Sequence, residues 1–190
     1  VLHPPVDTRF FTPGHEASDD YFLVVSALVP YKRIDTAIRA AARLGAPLKI
    51  VGTGPDTERL HALAGGGADF LGRVDDDTLR QLYRRARALV LPGEEDFGIA
   101  PVEAQACGRP VVALGRGGAC ETVEHGVSGW LVQPDGRDDV AQFAEAMSQV
   151  DALPLSPADL HARVDHFSLD RFDAALLDRV SETLETPLAW

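Results

Sequence analysis

At 190 residues and 45% hydrophobic, the chain suits one domain with a sizeable core. A formal net charge of −11 argues against nucleic-acid and anionic-membrane partners, which are met by concentrated Lys and Arg. No apolar run reaches the roughly 20 residues that span a bilayer and no charged-then-apolar leader opens the chain, so the sequence predicts a cytoplasmic protein without a membrane span.

The chain opens on Val1-Leu2-His3-Pro4-Pro5, and residues 1–15 read as an extended linker entering a domain. Phe22-Leu23-Val24-Val25 is a short apolar, β-branched run, as expected of a strand buried on both faces of a parallel sheet. Similar runs follow at Leu48-Lys49-Ile50-Val51, Ala68-Asp69-Phe70-Leu71, Ala88-Leu89-Val90-Leu91, Val111-Val112-Ala113-Leu114 and Gly129-Trp130-Leu131-Val132. Between them, residues 34–44, 56–63, 78–86, 100–107 and 140–150 carry helical periodicity. This alternation predicts an α/β fold over residues 16–155, a Rossmann-like three-layer sandwich with about six parallel strands. From Ser156-Pro157, an N-cap and a first-turn proline, the chain turns helical to residue 190, with a second start near Ser168 and an apolar side formed by Phe172, Leu176, Leu177 and Val180.

Cys107 and Cys120 are too few and too dispersed for a disulfide framework or metal knuckle and read as reduced packing residues. Arg80, Arg84, Arg85 and Arg87 have the spacing of a solvated helix face. Asp75-Asp76-Asp77 reads as a helix cap rather than a carboxylate set for a divalent metal.

In open sheets, ligands bind beyond the carboxyl ends of the strands. The first predicted strand is followed by Lys32-Arg33, a cationic pair that reads either as solvated surface or as a partner for a diphosphate. Gly52-Thr53-Gly54 follows the second, equally a tight turn or a place where backbone meets ligand; the third glycine of a dinucleotide fingerprint is missing. After the fourth comes Glu94-Glu95-Asp96-Phe97-Gly98-Ile99-Ala100-Pro101-Val102-Glu103. Amides near Gly98 and Ile99 at a helix start form an anion seat, and Glu103, set in a small apolar helix, needs donor groups such as paired hydroxyls.

The Glu95-to-Glu103 spacing, running on to Gly108-Arg109-Pro110-Val111-Val112, resembles the Glu-x7-Glu motif of retaining GT-B glycosyltransferases of group 1, family 4. Ser26 to Arg33, Val51-Gly52-Thr53-Gly54, Phe70-Leu71-Gly72-Arg73-Val74 and Gly117-Gly118-Ala119-Cys120-Glu121 occur in the family's order, and Val6-Asp7-Thr8-Arg9-Phe10 resembles its linker into the C-terminal domain. The resemblance implies the donor-binding half of a hexosyltransferase, metal-independent and without a cofactor, whose donor is a GDP- or UDP-sugar. It also implies an N-terminal acceptor domain, against which the final helices would pack; left exposed, they would favour a homodimer.

The resemblance further implies roles for single residues. Lys32 would meet the diphosphate, with Phe97, Gly98 and Ile99 adding to that cradle and Gly52 and Gly54 beside it. Glu103 would take ribose hydroxyls, Arg73-Val74 the base and Glu95 a hydroxyl of the transferred sugar. The family commonly has Arg where this chain has Ala27, a gap Arg33 would fill. The form Ser-Ala-Leu-Val-Pro-Tyr-Lys-Arg resembles a bacterial surface-polysaccharide subgroup of mannosyltransferases. A sugar-nucleotide 2-epimerase of the same architecture and a non-catalytic nucleotide-binding module are the alternatives.

Overall fold

A computed structural model describes residues 1–15, 17–133 and 138–185. Residues 186–190, assigned from sequence to the C-terminal helices, lie outside them. Six strands, β1 Phe22–Val25, β2 Leu48–Val51, β3 Asp69–Gly72, β4 Ala88–Leu91, β5 Val111–Leu114 and β6 Gly129–Val132, form one sheet in the order β3-β2-β1-β4-β5-β6. Every pairing is parallel. The helices are α1 Ile34–Leu44, α2 Thr57–Ala64, α3 Asp76–Arg85, α4 Ile99–Ala106, α5 Ala119–Thr122, α6 Asp139–Ser148, α7 Pro157–Arg163 and α8 Leu169–Glu185.

Successive strand side chains go to opposite faces, so β1 feeds two cores. Phe22 and Val24 pack with Ile34, Ile38 and Leu60 from α1 and α2 and with Phe143 and Met147 from α6. Leu23 packs on the other face with Tyr83 of α3, Val102 of α4 and Phe167. These two cores sandwich the sheet in the three layers the alternating pattern predicts. The central strand β4 is buried along its whole length, whereas β3, at the edge, is exposed at alternate residues.

Local rules account for most element ends. The Asp75 carboxylate accepts from the Thr78 N–H at 2.7 Å, so α3 begins at Asp76, two residues before its apolar periodicity. Ser156 and Asp159 form a reciprocal capping box at the start of α7. A 3-10 turn, Asp165–Phe167, then separates α7 from α8. Helix α5 is a single turn, too short for periodicity to announce it.

Two expectations need correction, those for the arginines and for Cys120. The arginines do not form a solvated face; they clamp the segment before β1 onto α3. Arg80 stacks on the Phe10 ring, Arg84 donates to the carbonyl and hydroxyl of Thr12, Arg85 pairs with Asp19, and Arg87 with Asp20 and Asp151. The segment read as a linker packs on the domain: the Val6 N–H bonds the Phe167 carbonyl at 2.8 Å, and Phe11 is buried edge-on against Tyr83. Cys107 is buried as expected, but Cys120 is exposed. Along α8, Leu176, Leu177, Val180 and Leu184 are all exposed. No described helix is long and apolar enough to cross a membrane.

A Cβ on Gly54 would lie 2.2 Å from the Leu28 carbonyl oxygen, a contact with backbone rather than a yielding side chain. Gly54→Ala should cost about 2–3 kcal/mol in denaturant unfolding. The Thr78 hydrogen bonds hold the Asp75 carboxyl below its ordinary 3.8. Its stabilising effect is therefore complete above that value and lost as pH falls through the lower folded-state value. Thermal melts should show Asp75→Ala less stable than the parent near neutrality, with the gap closing in acid below pH 3.8.

Candidate functional site

The strand order reverses between β1 and β4, and the loops leaving their C-terminal ends part there. The gap is a cleft of about 280 Å³ walled by Val25, Ser26, Ala27, Lys32, Leu91, Glu95 and residues 98–101. Two larger hollows of about 390 Å³ lie elsewhere, beside α5 and α7 and between residues 12–15 and α3. Neither is walled by the loops after β1 and β4.

Lys32 closes a 3-10 turn, Pro30–Lys32, that hands over to α1 through Arg33 in a left-handed conformation, φ 52°. The Lys32 ammonium forms an ion pair with the Glu95 carboxylate, and both side chains are largely buried, 13% and 19% exposed. Glycines bring their loops together. A Cβ on Gly93 would lie 2.6 Å from the Lys32 Cα, and one on Gly118 2.2 Å from the Phe97 Cα. The Gly118 N–H donates to the Glu95 carbonyl at 2.8 Å, so the loop after β5 props the loop after β4. Sequence reasoning took Gly117-Gly118 only as a landmark; two adjacent glycines directly after a strand were the signal of this close approach.

Gly98, at φ 81°, turns the chain into α4. The Ile99 and Ala100 amides in its first turn have no intrahelical acceptor, and Pro101 has no N–H at all. These amides and the positive end of the helix dipole therefore face the cleft. Glu103 stands one turn further along, outside the cleft wall. Its Oε2 accepts from the buried Tyr83 hydroxyl at 2.8 Å, and Oε1 has no protein donor among the described residues. Burial raises the Glu103 carboxyl above its ordinary value, opposed by the Tyr83 hydrogen bond and assisted by Asp76.

Other expected site residues turn elsewhere. The Arg33 guanidinium bonds the Thr36 hydroxyl at 3.1 Å and Asp139 at 3.5 Å, tying α1 to α6, so it does not occupy the space beside Ala27. The Phe97 ring stacks on His3 and meets Phe167 edge-on, with centroids 5.1 and 5.3 Å away. Gly52 and Gly54 make room for the Ser26 and Leu28 carbonyls, so their missing side chains serve backbone contact. Val74 packs against the second core and Arg73 is exposed; neither walls the cleft. Among the described residues no group of three or more His, Cys, Asp or Glu could hold a metal ion. Asp75 is taken up as a cap and Asp77 by Arg80.

Residues 6–164 match the family described as Glycosyl transferases group 1. The chain is 36% identical, over 87% of its own length and 43% of the relative's, to a D-inositol 3-phosphate glycosyltransferase of Mycolicibacterium vanbaalenii. It is 38% identical to that of Acidothermus cellulolyticus, over 79% of the chain and 40% of the relative. It thus spans about two fifths of the length of these curated relatives. Among solved structures, the pneumococcal O-GlcNAc transferase GtfA, in complex with UDP and GlcNAc, superposes with TM-score 0.83 at 18% identity, covering 96% of this chain and 39% of its own. Anabaena Alr3699/HepE, in complex with UDP and glucose, does so with TM-score 0.81 at 22% identity, covering 96% and 56%. The Rossmann-like fold is that of GT-B glycosyltransferases, and the chain belongs to the family of group 1 glycosyl transferases.

Proposed function

We propose that this chain is the donor-binding half of a retaining hexosyltransferase, holding a GDP- or UDP-linked sugar between Lys32 and the opening turn of α4. The observation that carries the reading is the convergence of an ammonium, a carboxylate and unbonded helix amides where the strand order reverses. The ammonium and the amides take phosphoryl oxygens of the diphosphate. Their attraction grows as that group departs with its charge, so they favour the transition state over the bound donor.

Across the cleft Glu95 balances Lys32. An entering diphosphate replaces it as the counter-charge, and the released carboxylate accepts from a hydroxyl of the transferred sugar. The remaining Glu103 oxygen takes ribose hydroxyls, with backbone near Arg73-Val74 against the base. No metal has a part in this scheme.

Glycosyl transfer agrees with the names of the curated relatives, and a nucleotide donor with the UDP bound in the solved neighbours GtfA and HepE. Those names do not specify mannose, so the subgroup resemblance alone favours that hexose. Acceptor recognition and completed transfer belong to an N-terminal domain of a longer protein, and the exposed Leu176, Leu177 and Val180 of α8 suit packing against it.

Calorimetric titration with GDP and UDP tests the reading. Lys32→Ala and Glu103→Ala should each lose about 1.5–3 kcal/mol of binding, the scale of a hydrogen bond to a charged group. Parental affinity in both variants would remove the assignment. Glu95→Gln should separate the two halves of the donor. It frees Lys32, so a nucleoside diphosphate binds at least as tightly as before, while the matching nucleotide sugar loses about tenfold through the missing hydroxyl contact. Equal weakening of both ligands would contradict the role given to Glu95.

A further inference from the structure

Tyr83 is the largest fully buried side chain among the described residues, and its ring lies edge-on to Phe11 within the second core. A hydroxyl in such a place is costly unless partnered. Its partner is Glu103, at 2.8 Å, twenty residues along the chain on the neighbouring helix. Core packing alone would be met by phenylalanine; the extra oxygen serves the carboxylate. With Oε2 held in this way, the carboxylate cannot rotate freely, and Oε1 is left without a protein donor among the described residues.

We propose that Tyr83 is a positioning residue for the nucleotide: it pins one oxygen of Glu103 so that the other is presented, at a fixed angle, to the paired hydroxyls of ribose. The inference rests on the reading of Glu103 as the ribose acceptor and adds to it a residue that touches no ligand. Burial keeps the Tyr83 phenol protonated far above its ordinary value, so it remains a donor throughout the working pH range. Donation to the carboxylate favours its charged form, against burial and Asp76, both of which raise its pKa. Cys107, just past the C-terminal end of α4, has its thiol pushed up to about 12 by burial, so it stays neutral and places no charge beside Tyr83.

Tyr83→Phe removes one oxygen and keeps the ring. Its binding of UDP and GDP should weaken about five- to tenfold, whereas in a Glu103→Gln background the same change should cost nothing further, because the tyrosine acts through that carboxylate. Dideoxyribose counterparts of the two nucleotides should bind parent and variant alike. Loss of the donor raises the Glu103 pKa, so the acid-side fall in UDP affinity should move to higher pH in the variant. A fluorotyrosine at position 83, a stronger donor of nearly the same shape, should move it to lower pH, which keeps the idea testable if the phenylalanine variant folds poorly. Parental affinity and pH profile in Tyr83→Phe, with Glu103→Gln weakened, would overturn the positioning role alone. An unaffected Glu103→Gln would overturn the ribose assignment beneath it.

Discussion

The site depends on backbone touching backbone at the carboxyl edge of the sheet. Four loops meet there with no side chain between them: Gly52 against Ser26, Gly54 against Leu28, Gly93 against Lys32, and Gly118 against Phe97. Each contact brings main-chain atoms to distances that a Cβ would forbid, and hydrogen bonds such as those from the Leu28 N–H to the Thr53 carbonyl and the Gly118 N–H to the Glu95 carbonyl stitch the loops together. Rigid, closely set loops are what allow a cation from the segment after β1 and a carboxylate and helix start from the segment after β4 to share one small cleft.

Charge is distributed with the same economy of means. The chain as a whole is strongly acidic, and most of its arginines are spent on structural pairs with carboxylates, as in Arg59 with Asp56 and Arg85 with Asp19. Lys32 differs in being largely withdrawn from water and paired with a residue of the same cleft. A shielded cation acts more strongly on a bound anion than an exposed one, because less water screens it.

The sheet was readable in the sequence because each buried parallel strand is a short continuous apolar run, and all six runs became strands. The stretch from Glu95 to Glu103 was readable too, since a proline in the first helical turn and glycines at both ends mark the helix. What escaped was direction. Spacing says that Arg33 and Phe97 flank the cleft but not which way each side chain leaves the backbone; Asp139 and His3, distant in sequence, decide that. Tyr83 escaped because a buried aromatic at helical spacing looks like core, and its hydroxyl gains meaning only from the helix beside it. The arginines of α3 misled for a similar reason: their partners at Phe10 and Thr12 lie some seventy residues earlier.

The packing of that early segment reaches further than its own stability. Phe11 meets the ring of Tyr83 edge-on, Tyr83 holds Glu103, and Arg80 and Arg84 fasten the segment on either side of Phe11. A domain boundary drawn just ahead of β1 would thus unroof the tyrosine and orphan two guanidinium groups, loosening from behind a helix whose first turn walls the cleft. The minimal folding unit of this chain is wider than its sheet, and its first dozen residues brace the site from behind.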